Sequence, residues 1–93
     1  MAKLNSILHQ ELRLSIVSFL AGVESADFKK LMEVTDATKG NLSVQLSKLK
    51  EAGYIEINKT FKGNYPHTEC KILEKGKAEL IEYITQIKSL LNL

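Results

Sequence analysis

From Leu4 to Leu20 an apolar residue returns at every fourth position, Leu4, Leu8, Leu12, Ile16 and Leu20, and Ile7, Leu14, Val17 and Phe19 widen the stripe. That spacing predicts a helix from Leu4 to Ala21, ended by Gly22. The mixed stretch after it predicts a loop or one short strand. Phe28, Leu31, Met32 and Val34 then supply the apolar side of a second helix, from about Asp27 to Val34, with Asp27 as its start residue. Asp36 or Thr38 has the oxygen needed to cap a third helix, from about Lys39 to Ala52. Gly53 follows at once, where a left-handed residue stops a helix without a Cβ clash. Two short helices a few residues apart predict a helix-turn-helix.

After Gly53 the period changes to two. Tyr54 to Phe61 is rich in β-branched and aromatic residues in partial alternation, which predicts a strand. The run Lys62-Gly63-Asn64-Tyr65-Pro66 is turn chemistry with Gly63-Asn64 at the tip, and Pro66 re-enters a strand where its missing N–H does least harm. His67 to Leu73 completes an antiparallel hairpin. A last helix, Glu74 to Leu91, carries Leu80, Ile84, Ile87 and Leu91 at heptad spacing. There is no internal repeat, so residues 1–93 form a single domain. The expected fold is α+β and mostly α: a winged helix-turn-helix of three helices, a β-hairpin wing and a C-terminal helix.

The third helix raises the question of function. Leu42, Leu46 and Leu49 fall on one narrow arc at about 100° per residue. The opposite arc holds Gly40, Ser43, Val44 and Ser47, flanked by Asn41, Gln45 and Lys48 on one side and by Lys39 and Lys50 on the other. Short side chains between hydrogen-bonding and cationic rims suit close approach to the major groove of DNA, where lysines meet phosphates and amides reach base edges. Polar residues opposite a leucine stripe occur on most surface helices. The adjoining hairpin, with Lys59 and Lys62, adds a second contact surface and favours the DNA reading. Expected major-groove contacts are Thr38, Lys39, Asn41, Ser43, Val44, Gln45, Ser47 and Lys48, and expected wing contacts are Lys59, Lys62, Asn64, Tyr65 and His67. The one arginine, Arg13, lies on the first helix, so the bidentate arginine–guanine contact is missing. Asn41 and Gln45 both pair bidentately with adenine, which predicts an operator containing A·T pairs.

The last helix carries more apolar surface than one thin domain covers. Leu80, Tyr83, Ile84, Ile87, Leu90 and Leu91 are expected to pair with a second copy, together with Leu4, Ile7 and Leu8. The segments LSIVSFLAG, DFKKLMEVTDATKGNLSVQLSKLKEAGYIEINKTFKGNYPHT and LEKGKAEL resemble the small winged-helix transcriptional regulators of the MarR/ArsR-like superfamily, specifically the compact winged-helix DNA-binding domain family of stand-alone prokaryotic regulators. The resemblance runs from about Leu12 to Leu91. Its most specific part is Gly40-Asn41-Leu42-Ser43 through Leu46, Leu49, Ala52-Gly53-Tyr54 and Phe61-x-Gly63. It implies a homodimer joined through its terminal helices, with the third helix as recognition helix and the hairpin as wing. Two positions depart from the family pattern. Wings of the family often read Gly-Arg-Arg-Pro-Arg-Thr, whereas Gly63 to Thr68 holds no arginine. Leu73 stands where a threonine commonly caps the last helix.

Composition narrows the alternatives. With 44% hydrophobic and 26% charged residues in 93, the chain has the make-up of an ordinary globular protein. It has no apolar run of about 18 residues to span a bilayer and no signal-peptide pattern, and its one cysteine, Cys70, excludes an intrachain disulfide. A cytoplasmic protein without membrane contact is expected. The formal charge is +2, too little to argue for nucleic acid alone, although lysines predominate between Ala37 and Lys71. No phosphate loop, nucleophile motif or metal-ligand cluster is present, so neither an enzyme nor a cofactor is expected. His67 and Glu69 share one strand face and Cys70 takes the other, which predicts Cys70 as a small buried residue. Two further readings stay open: a winged-helix module that binds protein, and an apolar effector between the first and last helices.

Overall fold

The computed structural model describes residues 3–93. Its elements run α1 (Glu11–Ala21), β1 (Ala26–Asp27), α2 (Phe28–Thr35), α3 (Lys39–Glu51), β2 (Ile55–Lys62), β3 (Tyr65–Ile72) and α4 (Glu74–Leu90). The mostly helical winged helix expected from the sequence is the fold observed. Among the described residues no helix is long and apolar enough to cross a membrane.

The first helix is shorter than its stripe. Asn5 Oδ1 accepts from the backbone N–H of Ile7 (2.8 Å) and of Leu8 (3.0 Å), closing a separate turn. Gln10 is extended, and its side chain accepts from Arg13 N to cap α1. Side chains that bond nearby backbone compete with helix in this way, and two of them divide the expected helix into a turn and α1. Leu8 still reaches the core, where it is fully buried with Leu12, Ile16, Val17 and Leu20.

Capping chemistry fixes the helix-turn-helix. Asp27 caps α2 by accepting from Lys30 N (2.7 Å), and Asp36 ends it in the left-handed region at φ 55°. Thr38 Oγ1 then accepts from Asn41 N (3.2 Å), so threonine rather than Asp36 caps α3. At the other end Gly53 takes φ 80°. Tyr54 N bonds Leu49 O and Gly53 N bonds Lys50 O, both at 3.0 Å, which is the Schellman closure with buried Leu49 and Tyr54 beside it.

The three-stranded sheet has the order β1-β3-β2 and is antiparallel throughout. The pairs Lys62↔Tyr65 and Phe61↔Pro66 leave a two-residue loop, Gly63-Asn64. In such a hairpin the pair flanking the loop exchanges hydrogen bonds and the next pair does not, so Pro66 sits where β2 asks for no N–H. Alternation puts Ile55, Ile57, Lys59 and Phe61 on one face with Pro66, Thr68, Cys70 and Ile72. The other face carries Lys62, Tyr65, His67 and Glu69. Ile55, Cys70 and Ile72 close the core from below α1 and α3.

α4 leaves the sheet at Leu73, whose N–H bonds Tyr54 O at 2.9 Å and which offers no side-chain cap. Gly76 lies flat on that junction. A Cβ there would overlap the Tyr54 carbonyl oxygen and meet Ile72 Cγ1 at 3.0 Å. A Gly76→Ala change gains about 1 kcal/mol of helix propensity but forces backbone apart at a cost of about 1–3 kcal/mol or more. A net loss of stability in urea denaturation is expected, and a more stable variant would contradict this account of how α4 docks.

Candidate nucleic-acid interface

The burial of Leu42, Leu46 and Leu49 turns the opposite side of α3 to solvent. Thr38, Lys39, Asn41, Ser43, Ser47 and Lys48 are exposed together with Gly40, and Val44 keeps half of its surface. Seven of the eight residues expected to face a groove therefore share one exposed surface.

Gln45 is the exception. Expected on the rim, it is buried, 8% exposed, because four residues before Leu49 is only about 40° around the helix from it. Its amide meets a partner on α1: Arg13 Nη1 donates to Gln45 Oε1 at 2.6 Å. Gln45 Nε2 in turn donates to Asn41 Oδ1 at 3.0 Å. Arg13 also donates through Nε to Ile7 O (2.7 Å), holding the first turn against α1. The adenine preference expected from two free amides thus loses its basis, since Gln45 is engaged on both sides and Asn41 on one. Nothing in the linear pattern links Arg13 to α3, 32 positions away.

Between α2, α3 and the hairpin runs an open cleft of about 680 Å³. Lys39, Ser43 and Ser47 line it from α3, Lys59, Pro66, His67 and Thr68 from the hairpin, and Phe28, Lys29 and Met32 from α2. Lys29, Pro66 and Thr68 lie outside the set read from sequence. The signal for Pro66 and Thr68 was the alternation that pairs them with Phe61 and Lys59. Phe61 is 72% exposed on the same sheet face, and it too went unread.

The hairpin divides the expected wing set. Lys59 shares the cleft face, Lys62 and Tyr65 occupy the other face and Asn64 the tip, and His67, which alternation puts on that other face, still borders the cleft. Tyr65 is exposed, but His67 is not free: its Nε2 lies 3.1 Å from Glu69 Oε2, and its side chain is 14% exposed. Glu69 also accepts from Ser25 Oγ at 2.8 Å. Those two hydrogen bonds, Ser25's first, hold the Glu69 carboxyl below its ordinary range and tie the segment before β1 to the hairpin.

The expected dimer residues divide as well. Leu8, Leu80 and Tyr83 are buried in the chain's own core, so they present nothing to a second copy. Tyr83 Oη also meets His9 Nδ1 at 2.9 Å. Leu4, Ile7 and Ile87 pack half-buried against that core. Ile84, Leu90 and Leu91 remain exposed, and Ile81, 65% exposed, joins them.

These features coincide with a known family. The sequence matches the winged helix DNA-binding domain family over residues 12–91, and the chain belongs to it. It is 34% identical over 84 residues to an uncharacterized protein of Methanocaldococcus jannaschii, covering 90% of this chain and 91% of that one. It is similar to the structure of a transcriptional regulator homologue from Pyrococcus horikoshii OT3, with a TM-score of 0.85 and 28% identity over 92% of this chain and 85% of that one. Bacillus subtilis PadR, solved in complex with operator DNA, shares the fold at a TM-score of 0.72 and 18% identity, over 81% of this chain and 48% of that one. The protein is thus a small winged-helix, DNA-binding regulator and not an enzyme.

Cys70 lies fully buried on the core face of β3, turned away from His67 and Glu69. Burial pushes its thiol up to about 11. Because the thiolate is the reactive form, the folded protein at pH 8 should resist thiol-modifying reagents until it is unfolded. Rapid labelling of the native chain would contradict the placement.

Proposed function

We propose that the protein binds a specific palindromic DNA site as a homodimer, with α3 in the major groove and the hairpin wing on the flanking backbone or minor groove. The observation that carries this reading is the outer face of α3. Small residues, Gly40, Ser43 and Ser47, let the helix approach base edges, while the exposed Lys39 and Lys48 flank them on either side, where phosphates would lie. Lys29 and Lys59 extend that positive rim along the cleft. PadR supports the same use of the fold, since its structure holds operator DNA.

The wing contact differs from an arginine finger. Lys59, Phe61, Pro66 and Thr68 turn toward the α3 side, and Lys62, Asn64 and Tyr65 stand at the tip or behind it. Lysines there meet phosphates, and an exposed Phe61 beside Pro66 is an apolar surface of the kind that lies against a shallow minor groove.

The dimer is supported by α4. Past Tyr83 only Gln86 and Ile87 are less than exposed, and Ile81, Ile84 and Leu91 fall within about 80° of one another around α4, forming one open face with Leu90 off its edge. An isologous pairing of that face in two chains covers it and sets two α3 helices at successive major grooves. A protein partner of another kind would use the same face. The second copy is preferred because a palindromic site needs it.

Three outcomes are expected. Selection from a random duplex library should return a palindrome whose affinity falls steeply with salt. Lys39→Ala and Lys59→Ala should weaken all sequences alike, each reducing the salt slope by about two per dimer. Ile84→Lys should shift sedimentation from dimer to monomer and weaken palindrome binding far more than half-site binding. Featureless binding that vanishes near physiological salt, or a wild-type monomer bound to a single half-site, would contradict the proposal.

A further inference from the structure

The buried amide of Gln45 does more than fill space. Arginine's guanidinium only donates hydrogen bonds, so the group it meets at 2.6 Å must be the Gln45 carbonyl, Oε1. That fixes which way round the Gln45 amide lies. Its Nε2 then faces Asn41 at 3.0 Å, and a donor there requires the Asn41 carbonyl, Oδ1, as acceptor. The orientation of Asn41 is thereby dictated from α1, two hydrogen bonds away.

We infer that Arg13 and Gln45 are positioning residues that hold the Asn41 carbonyl inward and present its NH2 group to DNA, so that Asn41 reads a base by donating only. This rests on the proposal that α3 enters the major groove. Asn41 is exposed in the first turn of α3, beside the capping Thr38 whose Oγ1 takes the Asn41 backbone N–H. A free asparagine pairs bidentately with adenine because it offers both a donor and an acceptor. Held by its carbonyl, Asn41 offers the donor alone. The bases whose major-groove edges present acceptors without an amino donor are guanine, through N7 and O6, and thymine, through O4. Cytosine, which presents only its N4 amino donor, is rejected, and adenine loses half of its usual match. Arg13 thus supplies in an indirect way the guanine-compatible donor that α3, without an arginine, lacks.

The relay has a polarity that one atom can reverse. In Gln45→Glu the carboxylate accepts from Arg13 as before and presents a second acceptor to Asn41. The Asn41 amide must then turn over, donating inward and presenting its carbonyl to DNA. Sites selected by the wild type should carry guanine or thymine at one position of each half-site. Gln45→Glu should select cytosine or adenine there, with the preference ratio moving by about tenfold or more and the other positions unchanged. Asn41→Asp, altered only at an exposed position, offers oxygens alone and should make the same switch, which identifies that position as the one Asn41 reads.

A separate readout needs no DNA. In isotope-labelled protein the Gln45 side-chain amide protons should exchange slowly with water and those of Asn41 quickly, and in Gln45→Glu the Asn41 amide should become the protected one. Fast exchange at Gln45 in the wild type overturns the relay even if the glutamate variant does not fold. A folded Gln45→Glu that keeps the wild-type base preference, while Asn41→Asp switches it, overturns the relay and leaves Asn41 as a reader. A wild type that selects no sequence overturns the base reading together with the DNA-binding proposal, and the exchange pattern then says whether the relay exists in the protein alone.

Discussion

Burial of Leu42, Leu46 and Leu49 sets the rotation of α3 about its own axis, and the rest of the molecule follows from that angle. With those leucines held in one core with Leu12, Ile16 and Ile55, the small polar residues of the opposite arc have no place but solvent. The same rotation draws Gln45 to the edge of the core, where a lone amide would be costly without partners. Arg13 and Asn41 meet that need. A structural requirement, the satisfaction of one buried polar group, thus becomes a constraint on the side chain that the proposal sets against a base.

What could be read from the sequence was what local chemistry decides. Thr38 and Gly53 mark the ends of α3 because capping and left-handed geometry involve residues only three to five positions apart. The hairpin was readable because a two-residue loop fixes its own register. The first helix was overextended because a four-residue stripe says nothing of Asn5 and Gln10, whose side chains bond nearby backbone and divide the segment. Gln45 was misplaced for another reason. The helical wheel sets it between the leucine arc and the polar rim, and the deciding partner, Arg13, is distant in sequence. The α4 stripe failed similarly: heptad spacing marks Leu80, Ile84 and Ile87 as equivalent, yet packing of α4 against α1 leaves Leu80 buried and Ile84 open.

The charge distribution suits a weakly basic DNA binder. A net charge of +2 gives little long-range attraction, so on the proposed reading affinity comes from a few lysines placed against phosphates. Lys29, Lys39 and Lys59 come from three separate elements and meet along one cleft. Their convergence depends on the helix-turn-helix and the wing being locked together through the core. Doubling that surface through α4 would raise the contact number without raising the charge of either chain.

The most direct test of the account is to follow backbone amide resonances of the isotope-labelled protein while a duplex selected from a random library is added at low salt. The account predicts shifts concentrated at Lys39 to Lys48, at Lys29, and at the Lys59–Thr68 hairpin, with the open face of α4 undisturbed once the dimer is formed. Shifts confined to Ile81, Ile84 and Leu91, or spread evenly over the surface, would contradict the claim that α3 and the wing form the DNA-binding face.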